Sequence, residues 1–479
     1  MRPEPPETGG PLRPALAHPA LTAALLTLAL GTWGIAGPAL WADEGATWAA
    51  ATMPGDRFAG LLAAKDRILA PYYVFMRAWA AVSDSEQWLR LPSLLAAAAS
   101  AAMTAALGRR LWSPRAGLAA GTLMALTPAL TRYGQEARPY GLALAAVLGA
   151  TLLLVAAADP GRGPGRRVWA GYAAALGAAA LLHVLTLLIV PAHAAYLMGR
   201  DGRGMLLRRW ACAVAAPALL AAGLLGWASG QRENQLSWPA PGLAELAELP
   251  VELIGSAALA AGLAVVAAAG RPAGAPPFLL VWAVAPVLLL AFAAQFTDLW
   301  TPRYVLFCLP ACVLLAACAL ARLTHARVVM AVLAAAVLPA QLQVRGPDGH
   351  DSDLRAVAGL VTPDLRAGGG VVVQPAWHRP ALYYYLPASL RPAADPLAVP
   401  LTRTPAGFYD VAEAAPAQIA ARLGARRSIW VVRASRDPDP RAAAVRAALA
   451  QGFRLVHERD IGTMTVARYD RVAAPAPAV

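Results

Sequence analysis

Charged residues are scarce in this sequence, and almost all of its positive charge is arginine. Only 14% of the 479 residues are charged, while 58% are hydrophobic, and Lys65 is the sole lysine. Soluble globular proteins carry about 25% charged residues. Apolar runs of about 20 residues recur through the first 344 positions. The composition therefore argues against a soluble globular chain and indicates a multi-span membrane protein.

Cysteine is also rare. Cys212, Cys308, Cys312 and Cys318 all fall inside apolar runs, with no CxxC or Cys/His spacing of the kind that holds a metal. We interpret them as small apolar packing residues. No cofactor is predicted; a divalent metal stays open, because one acidic pair such as Asp43-Glu44 is too little to predict a site.

The net charge of +13 has a different meaning in a membrane protein than in a soluble one. In a soluble protein it would point to nucleic acid. Here many arginines lie in short loops between apolar runs, which is the signal that sets membrane orientation. We therefore predict no nucleic-acid partner.

The arginine-rich loops predict about eleven membrane spans. With Arg2 and Arg13 in the cytoplasm, every inner loop is basic, the acidic loop 41–88 lies outside, and the C-terminus lies outside. The first run is too long for a signal peptide and lacks a clear cleavage site. Reading 169–198 as one span would reverse the later orientation. The predicted spans are about 20–40, 89–107, 116–131, 139–158, two within 169–198, 210–229, 251–269, 277–296, 303–321 and 328–344.

From about residue 345 the composition becomes that of a small α/β domain. Val371–Val373, Ser428–Val432 and Met464–Ala467 predict strands, and Ala442–Ala450 predicts a helix. We thus predict a membrane domain, 1–344, that includes a catalytic first outer loop, 41–88, and an extracytoplasmic α/β domain, 345–479. The excess of Arg, Ala, Gly and Pro is typical of a GC-rich bacterial genome, so the bacterial plasma membrane is the predicted location.

Two acidic residues follow the first span directly, in Leu40-Trp41-Ala42-Asp43-Glu44. Neighbouring residues on a helix do not share a face. One carboxylate is therefore expected to face a cavity while the other makes local hydrogen bonds. An ordinary hydrophilic span end is the alternative.

Two arginines stand at the outer mouths of two inward-running spans. Glu136 and Arg138 precede Pro139, and proline is favoured at the first helical position. Thr301-Pro302-Arg303-Tyr304 repeats the arrangement, with Thr301 as a candidate N-cap. Two helix N-termini and two arginines predict an anion site, most simply for phosphate. The alternative is that the arginines anchor to lipid headgroups.

Other polar residues near the outer face allow two interpretations each. Arg90 is a third phosphate contact or a headgroup anchor. Pro71-Tyr72-Tyr73 is an interfacial aromatic belt or a wall of the substrate cavity. For His183 and His193, in or near apolar spans, a packing role is favoured over a ligand role.

Taken together these pieces resemble the GT-C type of membrane glycosyltransferase that uses polyprenyl-phosphate sugars, including bacterial mannosyltransferase-like proteins and the protein O-mannosyltransferase and aminoarabinose transferase superfamily. The resemblance covers about residues 20–325. It is carried by Asp43-Glu44, Pro71-Tyr72-Tyr73, Arg90-Leu91-Pro92-Ser93, Gln135-Glu136-Ala137-Arg138-Pro139-Tyr140 and Pro302-Arg303-Tyr304.

The resemblance implies roles for particular residues. Asp43 would be the general base, with Glu44 as neighbour or substitute, and Arg138 and Arg303 would hold the lipid phosphate. Many relatives have His or Lys just before the tyrosine pair, where this chain has Leu69-Ala70-Pro71. That contact is missing here or is supplied by Lys65 or Arg67. The full predicted site is Asp43 and Glu44 for catalysis, Arg138, Arg303, Arg90 and Lys65 for the donor phosphate, and Glu136, Tyr140, Tyr72, Tyr73 and Tyr304 in the substrate cavity.

The expected function is inverting transfer of a sugar, mannose or another hexose or pentose, from a polyprenyl-phosphate donor to an acceptor hydroxyl at the outer membrane face. The acceptor is a protein, a lipid or a glycan. A transporter or lipid flippase is the alternative, and a non-catalytic assembly or receptor protein is a third class. Polar sites lie at the outer mouths in an enzyme but near mid-depth in a carrier.

Overall fold

The computed structural model describes residues 18–159, 165–234, 239–269, 276–297, 299–400, 411–434, 439 and 441–472. Of the arginines used to predict orientation, Arg2, Arg13, Arg162 and Arg271 lie outside these ranges. The α-helices are α1 Pro19–Thr32, α2 Ala42–Thr52, α3 Gly55–Ala64, α4 Ala70–Ala80, α5 Glu86–Leu111, α6 Pro114–Leu126, α7 Pro128–Gly134, α8 Tyr140–Ala157, α9 Arg166–Leu182, α10 Val190–Met198, α11 Arg203–Ala228, α12 Leu243–Ile254, α13 Ala257–Ala269, α14 Pro277–Thr297, α15 Leu309–Leu320, α16 Ala326–Val344, α17 Leu354–Arg366, α18 Arg379–Tyr385, α19 Arg391–Ala394, α20 Pro416–Gly424 and α21 Ala442–Gly452.

Short 3₁₀ helices and six strands complete the described secondary structure. The 3₁₀ segments are Arg67–Leu69, Val184–Ile189, Ser229–Asn234, Pro302–Cys308 and Ala376–His378. The strands are β1 Gly370–Gln374, β2 Ala398–Pro400, β3 Val411–Glu413, β4 Ser428–Ala434, β5 Phe453–Ile461 and β6 Met464–Arg471.

The chain forms two compact units. The first, here the membrane unit, comprises 1–33, 90–230 and 235–342; the second, the loop-and-sheet unit, comprises 34–89, 231–234 and 343–479. The sequence assigned the outer loop 41–88 to the membrane domain, whereas the structure groups it in one compact unit with the C-terminal segment. The domain boundaries inferred from composition stay a prediction.

The membrane unit is a polytopic helical bundle. Among the described residues, six helices are long and apolar enough to cross a membrane, and the pair α12 and α13, bent by 95°, makes up to seven. Every predicted span overlaps a described helix, but several of these helices are short or broken. The polytopic helical fold is therefore confirmed, while the number of eleven spans is not.

Small residues let the first helices of the bundle approach closely. A Cβ on Gly121 of α6 would lie 2.5 Å from the Ala23 Cβ and 2.8 Å from the Ala105 Cβ. Apolar side chains gain little by leaving lipid for protein, so close packing of this kind is a main source of stability between membrane helices. At the start of α6, Ser113 accepts a hydrogen bond from the Ala116 N–H and so caps the helix.

His193 is the centre of a buried polar network in the membrane unit. Its ring nitrogens lie 3.0 Å from Thr151 Oγ1 and 2.9 Å from the Tyr172 hydroxyl, and the Trp210 N–H donates to that hydroxyl at 2.9 Å. Both ring nitrogens thus have partners on neighbouring helices, as a packing role requires.

The loop-and-sheet unit contains a four-stranded sheet of order β1-β4-β6-β5. β1 and β4 are parallel, while β4–β6 and β5–β6 are antiparallel. The strands expected at Val371–Val373, Ser428–Val432 and Met464–Ala467 are all present, and so is helix α21. A small C-terminal sheet is thus confirmed; the short strands β2 and β3 and the nine-residue, mostly exposed edge strand β5 were not predicted.

The segment 41–88, predicted to be an outer loop, is not an irregular connection but contains three helices, α2, α3 and α4. Trp79 and Trp88 close it: their rings stack with centroids 4.5 Å apart, and each indole N–H donates to the other residue's carbonyl, at 2.7 and 2.9 Å. Arg77 donates to the Ala50 and Met53 carbonyls at 2.9 and 2.8 Å. These bonds hold α2, which carries Asp43, against α4.

Candidate active site

In the membrane unit, two predicted phosphate ligands converge on one aromatic ring. The guanidinium carbons of Arg138 and Arg303 each lie 5.9 Å from the centroid of the Tyr140 ring. Arg303 lies at the same distance from the Tyr304 ring. Residues 165 positions apart in sequence are therefore brought to one place, as two arginines sharing one anion require. Arg138 is 7% exposed, which disfavours the simple headgroup anchor considered from the sequence.

His183 belongs to this cluster, although its sequence position favoured a packing role. Its ring centroid lies 4.8 Å from that of Tyr304 and 5.6 Å from that of Tyr140. It occupies the break between α9 and the following 3₁₀ segment. The sequence signal that could have indicated this site is a histidine near the middle of the apolar run 169–198, which was predicted to hold two short spans. We call Arg138, Tyr140, His183, Arg303 and Tyr304 the arginine–aromatic cluster.

The segment that carries Arg138 is fastened on several sides. Gln135, fully buried, donates to the Gly31 and Trp33 carbonyls at 2.7 and 3.0 Å. The Ser93 hydroxyl donates to the Arg138 carbonyl at 3.2 Å. The turn before α8 is thereby fixed against the end of α1 and against α5.

Glu136 and Arg90 lie deeper than the sequence suggested. Glu136 is fully buried, with its carboxylate 3.7 Å from Arg132 Nε. Arg90 is also fully buried, in the second turn of α5, where it has no access to lipid headgroups. Their roles as substrate-cavity and phosphate contacts stay predictions.

The helix starts near the two arginines differ in detail from the expectation. Pro139 occupies the N-cap position and α8 begins at Tyr140, one residue later than predicted. The second start, Pro302–Cys308, is a 3₁₀ segment with a non-helical residue at Val305, and the Thr301 side chain makes no capping hydrogen bond. Thr301 thus occupies the predicted N-cap position but makes no capping bond, and the segment that begins there is a 3₁₀ helix and not the expected α-helix. Pro302–Leu320 as a whole is still long and apolar enough to cross a membrane. The backbone is non-helical at Val305, and α15 begins at Leu309 with Pro310 in its first turn.

In the loop-and-sheet unit, the two carboxylates predicted for catalysis have different environments. Glu44 is fully buried, and its Oε2 lies 3.4 Å from the Nδ1 of His350, itself fully buried. Asp43 is only partly buried. Glu44 thus has the local partner that was expected for one member of the pair, while a cavity facing Asp43 stays a prediction.

The helix that carries Asp43 packs closely on the C-terminal part of the chain. A Cβ on Gly45 would lie 2.4 Å from the Ala381 backbone nitrogen. The Trp48 ring meets the Tyr384 ring edge-on at 5.3 Å, and the Tyr384 hydroxyl donates to the Asp84 carbonyl at 3.0 Å. Helix α18 therefore sets the position of Asp43, which no sequence pattern indicated.

A second polar connection lies beside it. Glu86 accepts hydrogen bonds from the Tyr385 hydroxyl and from Arg355, both at 2.6 Å. The Leu40 N–H donates to the Tyr385 oxygen at 2.7 Å. Burial and the neighbouring Glu86 carboxylate raise the pKa of Tyr385, so this hydroxyl stays protonated and keeps donating.

Residues 65–67 lie close to the tyrosine pair, and the sequence left Lys65 or Arg67 as the replacement for a missing His or Lys. The Tyr73 hydroxyl donates to Asp66 at 3.1 Å, and Tyr72 and Tyr73 are both buried. The Arg67 guanidinium donates to the Leu62 and Ala63 carbonyls at 2.9 and 3.1 Å. Burial, opposed by Asp66, lowers the pKa of Lys65. Of the two replacements considered, Lys65 is the one whose charge is costly where it lies.

No group of three or more His, Cys, Asp or Glu side chains in the described ranges is placed to hold a metal ion.

Comparison with known proteins gives a family match over part of the sequence and several matches to solved structures. Residues 70–227 match the family described as dolichyl-phosphate-mannose-protein mannosyltransferase. No curated protein matches the chain in sequence.

The fold is that of two solved membrane proteins. One is ArnT from Cupriavidus metallidurans bound to undecaprenyl phosphate, with a TM-score of 0.63 and 14% identity over 94% of this chain and 97% of that one. The other is the archaeal oligosaccharyltransferase AglB from Archaeoglobus fulgidus, in complex with an inhibitory peptide and a dolichol-phosphate, with a TM-score of 0.51 and 12% identity over 98% of this chain and 76% of that one. The resemblance seen in the sequence is thereby confirmed: the chain has the fold of the GT-C glycosyltransferases, and its residues 70–227 carry the pattern of their dolichyl-phosphate-mannose-protein mannosyltransferase family.

Proposed function

We propose that this protein is an inverting glycosyltransferase that moves a sugar from a polyprenyl-phosphate donor to an acceptor hydroxyl at the outer face of a bacterial plasma membrane. The observation that carries the proposal is the arginine–aromatic cluster, in which Arg138 and Arg303 meet at Tyr140 in the membrane unit. A structure of the same fold holds undecaprenyl phosphate. Two guanidinium groups are suited to that kind of anion.

In this proposal the arginines act on the leaving group. As the anomeric carbon–oxygen bond to the phosphate breaks, the departing lipid phosphate gains negative charge. Arg138 and Arg303 stabilise this charge electrostatically, and they are worth most where water is scarce. The tilted rings of Tyr140, Tyr304 and His183 pack against one another beside the Arg303 guanidinium and exclude water from it.

Asp43 is the proposed general base. The acceptor hydroxyl attacks the anomeric carbon, a new glycosidic bond forms, and the hydroxyl proton passes to the Asp43 carboxylate. Such help is worth roughly 10²–10⁴-fold in rate. Glu44 is less suited to this step, because it is fully buried against His350. A single displacement opposite the leaving phosphate inverts the anomeric configuration.

The test is donor consumption by purified protein given radiolabelled polyprenyl-phosphate mannose and a membrane extract. We expect turnover by the native protein and a loss of at least 100-fold in Asp43→Asn. The matched control is Asp56→Asn, the same change in the first turn of α3, where the side chain is exposed. Full activity in Asp43→Asn would move the base to Glu44 or Glu136. If the donor binds and is not consumed under any condition, a transferase using mannose is excluded.

A carrier function has less support. Its one structural suggestion is the 95° break between α12 and α13, a feature that transporters use at binding sites. At this break, however, Gly255 adopts a left-handed backbone (φ +78°), and a Cβ there would lie 2.9 Å from the Ala129 nitrogen. Close backbone packing, rather than an open site, accounts for the bend.

A further inference from the structure

A polar cavity lies in the membrane unit, far from the arginine–aromatic cluster. It has a volume of about 470 Å³, within the roughly 300–1,000 Å³ range of small-ligand sites. It lies among the C-terminal ends of α5, α8 and α10 and the first turn of α14. Since α8 rises about 1.5 Å per residue over its 18 residues, its two ends are roughly 25 Å apart. Tyr140 is at one end and the cavity is at the other.

The charged groups of this cavity are Arg110, Arg200 and Asp159. Arg110 is tethered by a hydrogen bond of 3.4 Å to the Leu152 carbonyl. Arg200 lies with its guanidinium carbon 5.3 Å from the centroid of the Tyr196 ring, and that ring packs edge-on against Phe278 at 4.9 Å. The charges of these three residues sum to plus one, and the two arginines lie on different parts of the chain, one in α5 and one just after α10.

An apolar stripe leads away from the cavity along α14. Pro277 lines the cavity, and Leu280, Val284 and Leu288 follow it at helical spacing on the same face. Their exposed fractions are 55%, 48% and 59%. In a membrane protein such a face contacts acyl chains. A polar recess continuous with an apolar stripe has the shape of a phospholipid: a headgroup and its tail.

We propose that this cavity binds the headgroup of a membrane phospholipid, with the phosphodiester between Arg110 and Arg200 and a hydroxyl or ammonium of the headgroup donating to Asp159. A phosphatidylglycerol headgroup carries one negative charge, which balances the plus one of these three residues; the zwitterionic ethanolamine headgroup instead pairs its phosphate with the arginines and its ammonium with Asp159. Glycerol and ethanolamine headgroups carry a donor for the carboxylate, whereas choline has none. On the predicted orientation this end faces the cytoplasm, where basic recesses between helices bind lipid headgroups. The site does not depend on the proposed transferase activity.

The test is native mass spectrometry of the delipidated full-length protein in detergent, with phosphatidylglycerol, phosphatidylethanolamine, phosphatidylcholine or inorganic phosphate added separately. We expect the native protein to retain the first two lipids at least tenfold better than the third. The double variant Arg110→Gln/Arg200→Gln should lose retention at least tenfold. The matched control, Arg109→Gln/Arg208→Gln, changes two exposed arginines that do not line the cavity and should retain lipid normally.

Two further arms make the outcome decisive. Asp159→Ala, which removes the acceptor, should abolish the preference over phosphatidylcholine while leaving retention itself in place, which separates the headgroup contact from loss of fold. Thermal unfolding of all variants in detergent tests their folding. Equal lipid retention by the cavity and control double variants would overturn the proposal. Tight binding of inorganic phosphate that displaces phosphatidylglycerol at equal concentration would overturn the lipid as the ligand.

Discussion

The contact between Gly45 and Ala381 predicts that one methyl group will disturb catalysis through the position of Asp43. In Gly45→Ala the new Cβ would lie 2.4 Å from the Ala381 nitrogen and 2.6 Å from its Cα. Both neighbours are backbone atoms and cannot swing away. Carbon contacts are optimal near 3.5–4.0 Å, so α2 and α18 must separate by roughly 1 Å.

Two magnitudes follow from that separation. Overpacking of this kind costs about 1–3 kcal/mol. For a domain of about 150–250 residues each kcal/mol lowers Tm by about 2–4 °C, so we expect a drop of about 2–12 °C. Asp43 lies two residues away on the same helix and moves with it. Misplacing a reacting group by about 1 Å can cost roughly 100-fold in rate.

The measurements are Tm, followed by tryptophan fluorescence in detergent, and the initial rate of sugar transfer. Gly55→Ala is the control, because a Cβ at Gly55 meets nothing within 4 Å in the same outer loop. We expect Gly55→Ala to match the native protein in both. If Gly45→Ala behaves like Gly55→Ala, the idea that α18 positions Asp43 is refuted.

Three further perturbations test other parts of the structure. Arg303→Lys should weaken binding of polyprenyl phosphate about tenfold, because an ammonium cannot offer a phosphate the two parallel N–H donors of a guanidinium. Arg322→Lys, exposed beyond the far end of α15, should bind normally in the same titration. Burial lowers the pKa of Lys65 in the folded chain below its value of about 10.4 in the unfolded chain, so the charged ammonium destabilises the fold at neutral pH. Lys65→Met removes this charge and should raise Tm at neutral pH. That gain should shrink between the lowered pKa and pH 10.4, and a constant gain across pH would contradict the cause. Arg379→Met should destabilise the loop-and-sheet unit by about 3–5 kcal/mol in denaturant unfolding, because it leaves buried Asp395 without its partner at 2.6 Å; unchanged unfolding would show that this pair is not needed for the fold.

The sequence by itself determined the class of protein and predicted where its chemistry lies. Long apolar runs, scarce charge and arginine-rich loops are local properties, so they predicted a helical membrane bundle without tertiary information. The strands β1, β4 and β6 of the C-terminal sheet were also predicted locally, from short runs rich in β-branched residues. Arg138 and Arg303 were recognisable because charge at a membrane mouth needs a reason.

Tertiary structure decided which distant residues meet. That Arg138 and Arg303 share the Tyr140 ring, and that His183 joins them, depends on how helices far apart in sequence pack, which no local pattern encodes. The same holds for Gly45 on Ala381, a contact that follows from backbone proximity alone. The number of spans also depends on tertiary structure: the break at Gly255 divides an apolar run that looks continuous in the sequence. Hydrophobicity determines whether a segment lies in lipid or in water, whereas close packing determines which helices it contacts.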